Sequence, residues 1–105
     1  MTQFVHPSKE DIALAGLMNA LADPVRLCIF KSLMNKKGCM SCSEASAAHK
    51  NMAKSTLSHH FRIMRESGLI RTTKQGVEHR NVIRKDEIND KFPGLLKTML
   101  QLVNE

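Results

Sequence analysis

Residues 53–68 read AKSTLSHHFRIMRESG, and this run has the pattern of one amphipathic helix. Its apolar residues Leu57, Phe61 and Met64 recur at i, i+4 and i+7, which places them in one stripe along a helix of period 3.6. Gly68 follows where such helices commonly end, because glycine adopts the left-handed conformation at no steric cost. The pattern therefore predicts a helix over about 53–67 with one buried stripe.

The opposite face of this helix carries short polar side chains between cations. A helix that enters a groove of DNA needs such residues, since cations bind phosphates and compact donors and acceptors reach base edges. The predicted DNA contacts on this recognition helix are Lys54, Ser55, Thr56, Ser58, His59 and Arg62. His60 lies beside the apolar stripe, and we interpret it as a packing or hydrogen-bonding residue. An ordinary amphipathic helix with a solvated face is the alternative, which the rest of the chain must exclude.

The net charge of +6 is concentrated around this helix. Residues 54–85 hold the cations Lys54, Arg62, Arg65, Arg71, Lys74, Arg80, Arg84 and Lys85 against only Glu66 and Glu78, so they carry the whole excess. A basic segment of this kind indicates a polyanionic partner. Nucleic acid fits better than a membrane surface, which would require large apolar side chains on an exposed helix.

The segment before residue 53 predicts the first half of a helix-turn-helix. The sequence SCSE at 41–44 is a capping box that would open a short helix of small residues through about His49. A short helix, a tight turn and a second helix with a polar outer face make a helix-turn-helix over about 41–67.

Two further helices are predicted upstream of this unit. Leucines and Met18 at helical spacing indicate a first helix to about Ala22, after a loose lead-in over residues 1–7. Asp23-Pro24 then has the pattern of an N-cap followed by proline at the first helical position. The helix that it opens, to about Asn35, is apolar on most sides and is predicted to be central and buried.

After Gly68 the apolar period changes from 3.6 to 2. Residues 69–73 and 79–83 are predicted as two short strands around KQGVE, a hairpin that makes a wing over about 69–84. A basic hairpin beside a recognition helix can contact phosphates or the minor groove, so Lys74 and Arg80 are predicted DNA contacts. The acidic residues 86–90 are expected to form a short turn.

A last helix is predicted over about 93–104. Its apolar face consists of Leu96, Met99, Leu100 and Val103, which are the predicted dimer interface; packing onto the chain's own core is the alternative. The 105 residues form one predicted domain, 1–105, of a size that gains from a symmetric dimer.

Three motifs together resemble the ArsR-type winged-helix repressors, and they occur in the family's order and spacing. They are LADPVRL at 21–27, STLSHHF at 55–61 and RESGLIR at 65–71. The resemblance covers about residues 12–84 and implies a bacterial homodimeric repressor, mainly α with a two-stranded β wing, of a kind often released from DNA by a small-molecule or metal inducer. By the same resemblance, Ser55, Ser58 and His59 match recognition-helix positions and residues 74–80 match the wing. One departure is Ala53, where the family usually has a capping serine.

The metal sites of that family do not carry over. One of them uses closely spaced cysteines near the place of Cys39 and Cys42, which here have C-x-x-C spacing; the other uses Asp and His on the C-terminal helix, and residues 86–105 contain no His. Cys39 and Cys42 are therefore candidates for a metal or a redox role, with ordinary small side chains beside a turn as the alternative. Cys28 is expected inside the buried helix, and no metal or cofactor is predicted.

These observations predict a cytoplasmic, sequence-specific regulator of transcription that acts as a homodimer on a palindromic operator. The chain has no Gly-rich phosphate loop and no H-E-x-x-H motif, so no enzyme activity is predicted. It also has no signal peptide and no membrane-spanning run. Two alternatives remain at this level: a winged helix that binds proteins, and a thiol-based metal- or redox-responsive regulator acting through Cys39 and Cys42.

Overall fold

The computed structural model describes residues 4–35, 40–41, 49 and 51–104. Within these ranges lie helices α1 (Leu14–Ala20), α2 (Pro24–Asn35), α3 (Lys54–Glu66), α4 (Lys85–Lys91) and α5 (Leu95–Val103), a 3-10 turn at Lys9–Asp11, and strands β1 (Met40–Ser41), β2 (Ile70–Gln75) and β3 (Glu78–Ile83). A mainly helical chain with an antiparallel hairpin is the predicted fold class, which is confirmed. The first helix of the predicted helix-turn-helix falls outside the described residues.

Helix α2 is the central helix of the domain, as predicted. Asp23 caps it, because its Oδ1 accepts hydrogen bonds from the backbone N–H groups of Val25 at 2.8 Å and Arg26 at 3.2 Å. Its buried apolar side chains, Ile29, Phe30 and Leu33, are at most 1% exposed. The helix packs against α3, β3 and α5, so it is the platform on which the other elements rest.

Helix α3 ends at the predicted place in a Schellman motif. The N–H of Leu69 donates to the carbonyl of Met64 at 3.1 Å, and the N–H of Gly68 donates to the carbonyl of Arg65 at 3.1 Å. Gly68 has a φ of +88°, and a Cβ built there would lie 2.5 Å from Cγ1 of Ile12. Only glycine fits both the conformation and the space, and it turns the chain directly from α3 into β2.

The two strands of the wing are longer than predicted. They pair antiparallel from Ile70 opposite Ile83 to Gln75 opposite Glu78, and only Gly76 and Val77 connect them. The added residues lie beyond the core, where polar side chains occupy both faces of the hairpin: Lys74, Gln75 and Glu78. Because apolar residues no longer alternate there, the sequence pattern did not predict this part of the strands. Strand β3 is the middle strand, since β1 pairs with its other edge.

The acidic residues 86–90 belong to helix α4, so the predicted turn is wrong. The helix buries only Ile88, and one apolar residue produces no helical period. Its first turn is held by Arg84, which donates to Glu87 through Nε at 2.8 Å and Nη2 at 2.6 Å. These hydrogen bonds from Arg84 hold the pKa of Glu87 down at about 2, and Arg71 contributes in the same direction.

Helix α5 uses part of its predicted apolar face inside the chain. Leu96 is 2% exposed and belongs to the chain's own core, so its assignment to a dimer interface is corrected. Met99, Leu100 and Val103 are partly buried against that core. Leu102, one position from Val103, is 57% exposed. The exposed apolar side chain of α5 therefore lies in the second half of the helix.

Candidate nucleic-acid interface

Helix α3 has an apolar inner face and a polar outer face. Leu57, Phe61 and Met64 are at most 5% exposed, which matches the predicted stripe. The predicted DNA contacts on this helix are all exposed on the single chain: Lys54, Ser55, Thr56, Ser58, His59 and Arg62. The helix thus presents hydroxyls, an imidazole and two cations to solvent from one rigid element.

The inner face of α3 also carries a polar anchor, His60, which is 9% exposed. Its Nδ1 lies 3.1 Å from Nη1 of Arg26, and Arg26 also donates to the carbonyls of Ala20 at 2.7 Å and Asn19 at 3.2 Å. Because Arg26 has only donors, Nδ1 of His60 accepts the hydrogen bond and the ring is neutral. One buried guanidinium therefore joins the end of α1, the start of α2 and the recognition helix.

The titration of His60 agrees with this hydrogen-bonding arrangement. Burial lowers the pKa of His60, Asp23 raises it from 4.0 Å away, and Arg26 lowers it; the net shift is downward. Burial raises the pKa of Asp23, but the backbone donors of Arg26 and Val25 outweigh it and hold that carboxylate ionised. His60 is therefore the hydrogen-bonding residue that the sequence predicted.

Two features of α3, its N-cap residue and the ion pair of Arg62, affect its ability to bind a phosphate. Ala53 occupies the N-cap and provides no side-chain hydrogen bond, as its identity predicted. Arg62 donates to Glu66 at 3.1 Å, with both side chains more than half exposed. An exposed pair of this kind contributes little to stability, so Arg62 can exchange the carboxylate for a phosphate at small cost.

The wing extends the cationic surface beyond α3. Lys74 is exposed and lies opposite His79 in the hairpin, while Arg80 is half-buried and lies opposite Thr73. The hairpin tip carries Val77, which is 97% exposed. Helix α3 packs directly against β2, so the recognition helix and the wing are neighbouring elements.

Three basic residues of the same segment have roles inside the fold. Arg84 is 5% exposed and pairs with Glu87, and Arg71 donates to the same carboxylate at 3.4 Å. Arg65 lies over the ring of Phe4, with Cζ 4.6 Å from the ring centroid. The net charge marks the basic segment as a whole, but it does not distinguish cations that face solvent from cations that hold the fold.

The expectation of a loose lead-in is wrong from Phe4 onward. The ring of Phe4 meets His79 edge to face at 4.9 Å, and Nε2 of His6 accepts a hydrogen bond from the backbone N–H of Thr72 at 3.0 Å. Burial lowers the pKa of His6, and the nearby Arg71, Arg65 and Arg84 lower it further, so the ring stays a neutral acceptor. The only sequence signal for this contact was a single aromatic residue in a polar segment.

The candidate thiols and metal ligands divide between described and undescribed residues. Cys39 and Cys42 lie outside the described residues. Cys28 is exposed on α2, contrary to the expectation that it is buried. Across residues 4–35 and 51–104 the structure holds no group of three or more His, Cys, Asp or Glu side chains placed to bind a metal ion.

An apolar surface lies on α1 and α5. Leu14 and Met18 of α1 are 47% and 37% exposed, and Leu14 lines a shallow groove with Leu95 at the start of α5. Leu102 of α5 is the other large exposed apolar side chain of these two helices. Separately, none of the described helices has the length and apolar composition that crossing a bilayer requires.

A polar and cationic helix face, seated on a central helix and followed by a basic antiparallel hairpin, defines the class of winged-helix DNA-binding proteins. A family model described as a helix-turn-helix domain matches residues 21–73. The uncharacterized HTH-type transcriptional regulator YceK of Bacillus subtilis is 33% identical over 90 residues, which cover 86% of this chain and 89% of that protein.

Solved structures give the same result. The crystal structure of an ArsR family transcriptional regulator matches with a TM-score of 0.65 and 27% identity, covering 96% of this chain and 99% of that one. The transcriptional repressor PagR of Bacillus anthracis matches with a TM-score of 0.64 and 25% identity, over 84% of this chain and 90% of that one. The chain belongs to the ArsR-type family of winged helix-turn-helix transcriptional regulators, and it is a DNA-binding regulator of transcription.

Proposed function

We propose that this regulator is a homodimeric repressor that occupies a palindromic operator in the bacterial cytoplasm and catalyses no reaction. The observation that carries the proposal is the outer face of α3, where Ser55, Ser58 and His59 lie exposed between Lys54 and Arg62. Short donors and acceptors of this kind read base edges in the major groove, while the flanking cations meet phosphates. A repressor acts by occupying its site, which requires no further machinery on the chain.

The two halves of the interface have different proposed roles. Ser58 and His59 lie in the middle of α3, where their side chains reach bases. Lys74 and Arg80 of the wing meet the phosphate backbone or the minor groove. Sequence discrimination would then come from the helix, and a large part of the affinity for any duplex would come from the wing.

Substitutions in the two halves should therefore have different effects on operator and random DNA. Ser58→Ala or His59→Ala should cost about 1–2 kcal/mol on the operator and little on random duplex. Lys74→Ala or Arg80→Ala should weaken both duplexes alike and make the slope of log affinity against log salt shallower by about one unit. The measurement is fluorescence anisotropy across a salt series, with an operator selected from a random-sequence library by the wild-type protein.

Lys97→Ala is the control for these cationic substitutions, because Lys97 is an exposed lysine on α5, outside α3 and the wing. It should leave both affinities and the salt slope unchanged. Equal losses on both duplexes for all four variants would mean that α3 does not read sequence. A wild-type protein without salt-dependent DNA binding would favour the winged-helix protein-interaction module instead.

The proposed dimer uses the apolar surface on α1 and α5. Leu14 and Leu102 are about half exposed, so a double Leu14→Glu/Leu102→Glu variant places charge on this surface without touching the chain's own core. We expect a monomer at micromolar concentration and at least about tenfold weaker operator binding, because each half-site then binds alone. Sedimentation velocity gives the mass, and anisotropy gives the affinity.

Gln101→Glu is the matched control for charge, since Gln101 is an exposed residue of the same helix. This variant should remain a dimer and bind the operator as wild type does. A wild-type chain that sediments as a monomer at micromolar concentration contradicts the dimer, and a double variant that stays dimeric contradicts this surface as its interface.

A further inference from the structure

The N-terminal segment Phe4–Ser8, which we call the N-terminal strap, joins the wing to the rest of the domain. Its Phe4 ring contacts His79 of β3 at 4.9 Å, with the two rings nearly perpendicular at 84°. The other side of the contact is Arg65 in the last turn of α3, whose Cζ lies 4.6 Å from the Phe4 ring centroid. Phe4 is therefore a direct bridge between the recognition helix and the wing.

The position of this bridge along the hairpin matters. His79 is the cross-strand partner of Lys74, one of the two cations that the wing offers to DNA. Two residues along the strap, His6 accepts the N–H of Thr72, which is two residues before Lys74 on β2. The strap thus follows β2 outward from the base of the wing and contacts the rung that carries Lys74.

The far end of the strap is fixed to the base of the wing. The carbonyl of Pro7 accepts a hydrogen bond from Nη1 of Arg84 at 2.8 Å, and Arg84 is itself held by Glu87. Next to it in the chain, Lys9 pairs with Asp90, and Lys91 donates to the carbonyl of Glu10 at 2.7 Å. The strap is therefore fixed by hydrogen bonds at its C-terminal end, and at its N-terminal end the ring of Phe4 packs on the outer half of the hairpin.

From these contacts we propose that the N-terminal strap sets the position of the wing relative to the recognition helix, with Phe4 as the positioning residue. A hairpin that extends beyond its contacts with the core can move relative to the rest of the domain. A cation on such a hairpin must be ordered when it binds a phosphate, and this ordering reduces the free energy of binding. Phe4 preorganises Lys74 by fixing its rung to α3 through His79, and Arg80 is the next residue along β3. This inference rests on the proposed function, since it concerns how the same surface reaches DNA.

Phe4→Ala is the variant that tests it, and Val5→Ala is the matched control. Val5 is the neighbouring strap residue and is 75% exposed, so its side chain takes no part in the bridge. Phe4→Ala should weaken operator binding about five- to tenfold and make the salt slope shallower by about one unit, as expected for one lost phosphate contact. Val5→Ala should stay within about twofold of wild type, as a surface substitution does. Phe4→Tyr, which keeps the ring, should restore the wild-type slope.

A double-mutant cycle separates positioning from a general loss of stability. In the wild-type background Lys74→Ala should make the salt slope shallower by about one unit. In the Phe4→Ala background the same substitution should change the slope much less, because the wing already contacts DNA poorly. Independent losses in the two backgrounds would overturn the proposal. If Phe4→Ala is unfolded at the assay temperature, Phe4→Leu replaces it in the same cycle, since leucine keeps the apolar contact and removes the ring.

The contact itself can be followed without DNA. The edge-to-face arrangement should shift the ring protons of His79 in the NMR spectrum, and this shift should disappear in Phe4→Ala and persist in Val5→Ala. Wild-type protein that binds no DNA refutes the proposed function and leaves this spectroscopic result to stand alone. Wild-type protein that binds DNA, together with Phe4→Ala of unchanged affinity and slope, refutes the positioning role.

Discussion

Gly68→Ala is expected to lower the free energy of unfolding by about 3 kcal/mol, more than alanine at any of the other glycines that the structure describes. Part of the loss is the left-handed conformation, φ +88°, which costs an L-residue about 1–2 kcal/mol. The rest is overpacking, because the new Cβ would lie 2.5 Å from Cγ1 and 2.9 Å from Cδ1 of Ile12, and such crowding costs about 1–3 kcal/mol. Urea unfolding at one fixed protein concentration measures the difference.

Gly94→Ala is the matched control for the backbone term. Gly94 has nearly the same φ, +83°, but a Cβ there would meet no atom within 4 Å. It should lose only the conformational part, about 1–2 kcal/mol. If the two variants lose equal stability, the close packing of Ile12 against the turn between α3 and the wing is not rigid.

The recognition helix and the central helix were predictable because local chemistry and tertiary packing agree there. Leu57, Phe61 and Met64 form a stripe that is buried as the period requires, and Gly68 ends the helix by the mechanism that its identity suggests. Asp23 likewise caps α2 with its own side chain, which a short motif can reveal. In each case the interaction that fixes the element lies within a few residues of the element itself.

Most of what the sequence missed depends on contacts between distant residues. The bridge from Phe4 to His79 joins positions 75 apart, and Thr72 bonds His6 across 66 residues. Helix α4 buries a single apolar residue, Ile88, and is held in place by Arg84. The two contacts of the N-terminal strap produce no period and no local motif, and the pair of Arg84 and Glu87, although only three residues apart, adds no apolar period that would indicate a helix.

The same argument applies to the cations near the interface. Counting Lys and Arg predicts which segment binds DNA, but Arg84 and Lys74 look alike in a sequence. In the structure, Arg84 is buried against Glu87 whereas Lys74 is exposed on the wing. The difference lies in whether a carboxylate comes close, here Glu87 three residues along the chain, and a count of charges does not record that.

Arg26→Met should lower the free energy of unfolding by about 3 kcal/mol, because it removes a buried donor from several acceptors at once. The carbonyls of Ala20 and Asn19 and the Nδ1 of His60 would all lose their hydrogen bonds to the guanidinium. Methionine keeps an unbranched apolar stem and a similar helix propensity, so most of the loss reports the polar contacts of the guanidinium. Lys31→Met, on an exposed position of the same helix, should change stability by no more than about 0.5 kcal/mol.

The titration of His60 gives a second, site-specific measure of the Arg26 contact. In the wild-type fold the pKa of His60 lies below its ordinary 6.5. Burial is the largest cause of this shift; the charge of Asp23 opposes it, and the charge of Arg26 adds to it. The unfolded chain therefore binds the proton more readily, and this residue makes stability fall as pH drops through 6.5 toward the folded pKa. In Arg26→Met one lowering cause is gone and Asp23 remains, so the pKa of His60 should rise and its contribution to that fall should become smaller.

An NMR titration of the His60 ring protons isolates this effect from His6, whose pKa is lowered by separate neighbours. Lys31→Met should reproduce the wild-type titration. A folded Arg26→Met protein with an unchanged His60 pKa would show that the two side chains do not interact in solution. A raised pKa together with weaker operator binding would show that the buried guanidinium of Arg26 fixes the position in which α3 meets DNA. Arg26 does so through His60 on the inner face of α3, and Asp23 caps the helix that carries Arg26.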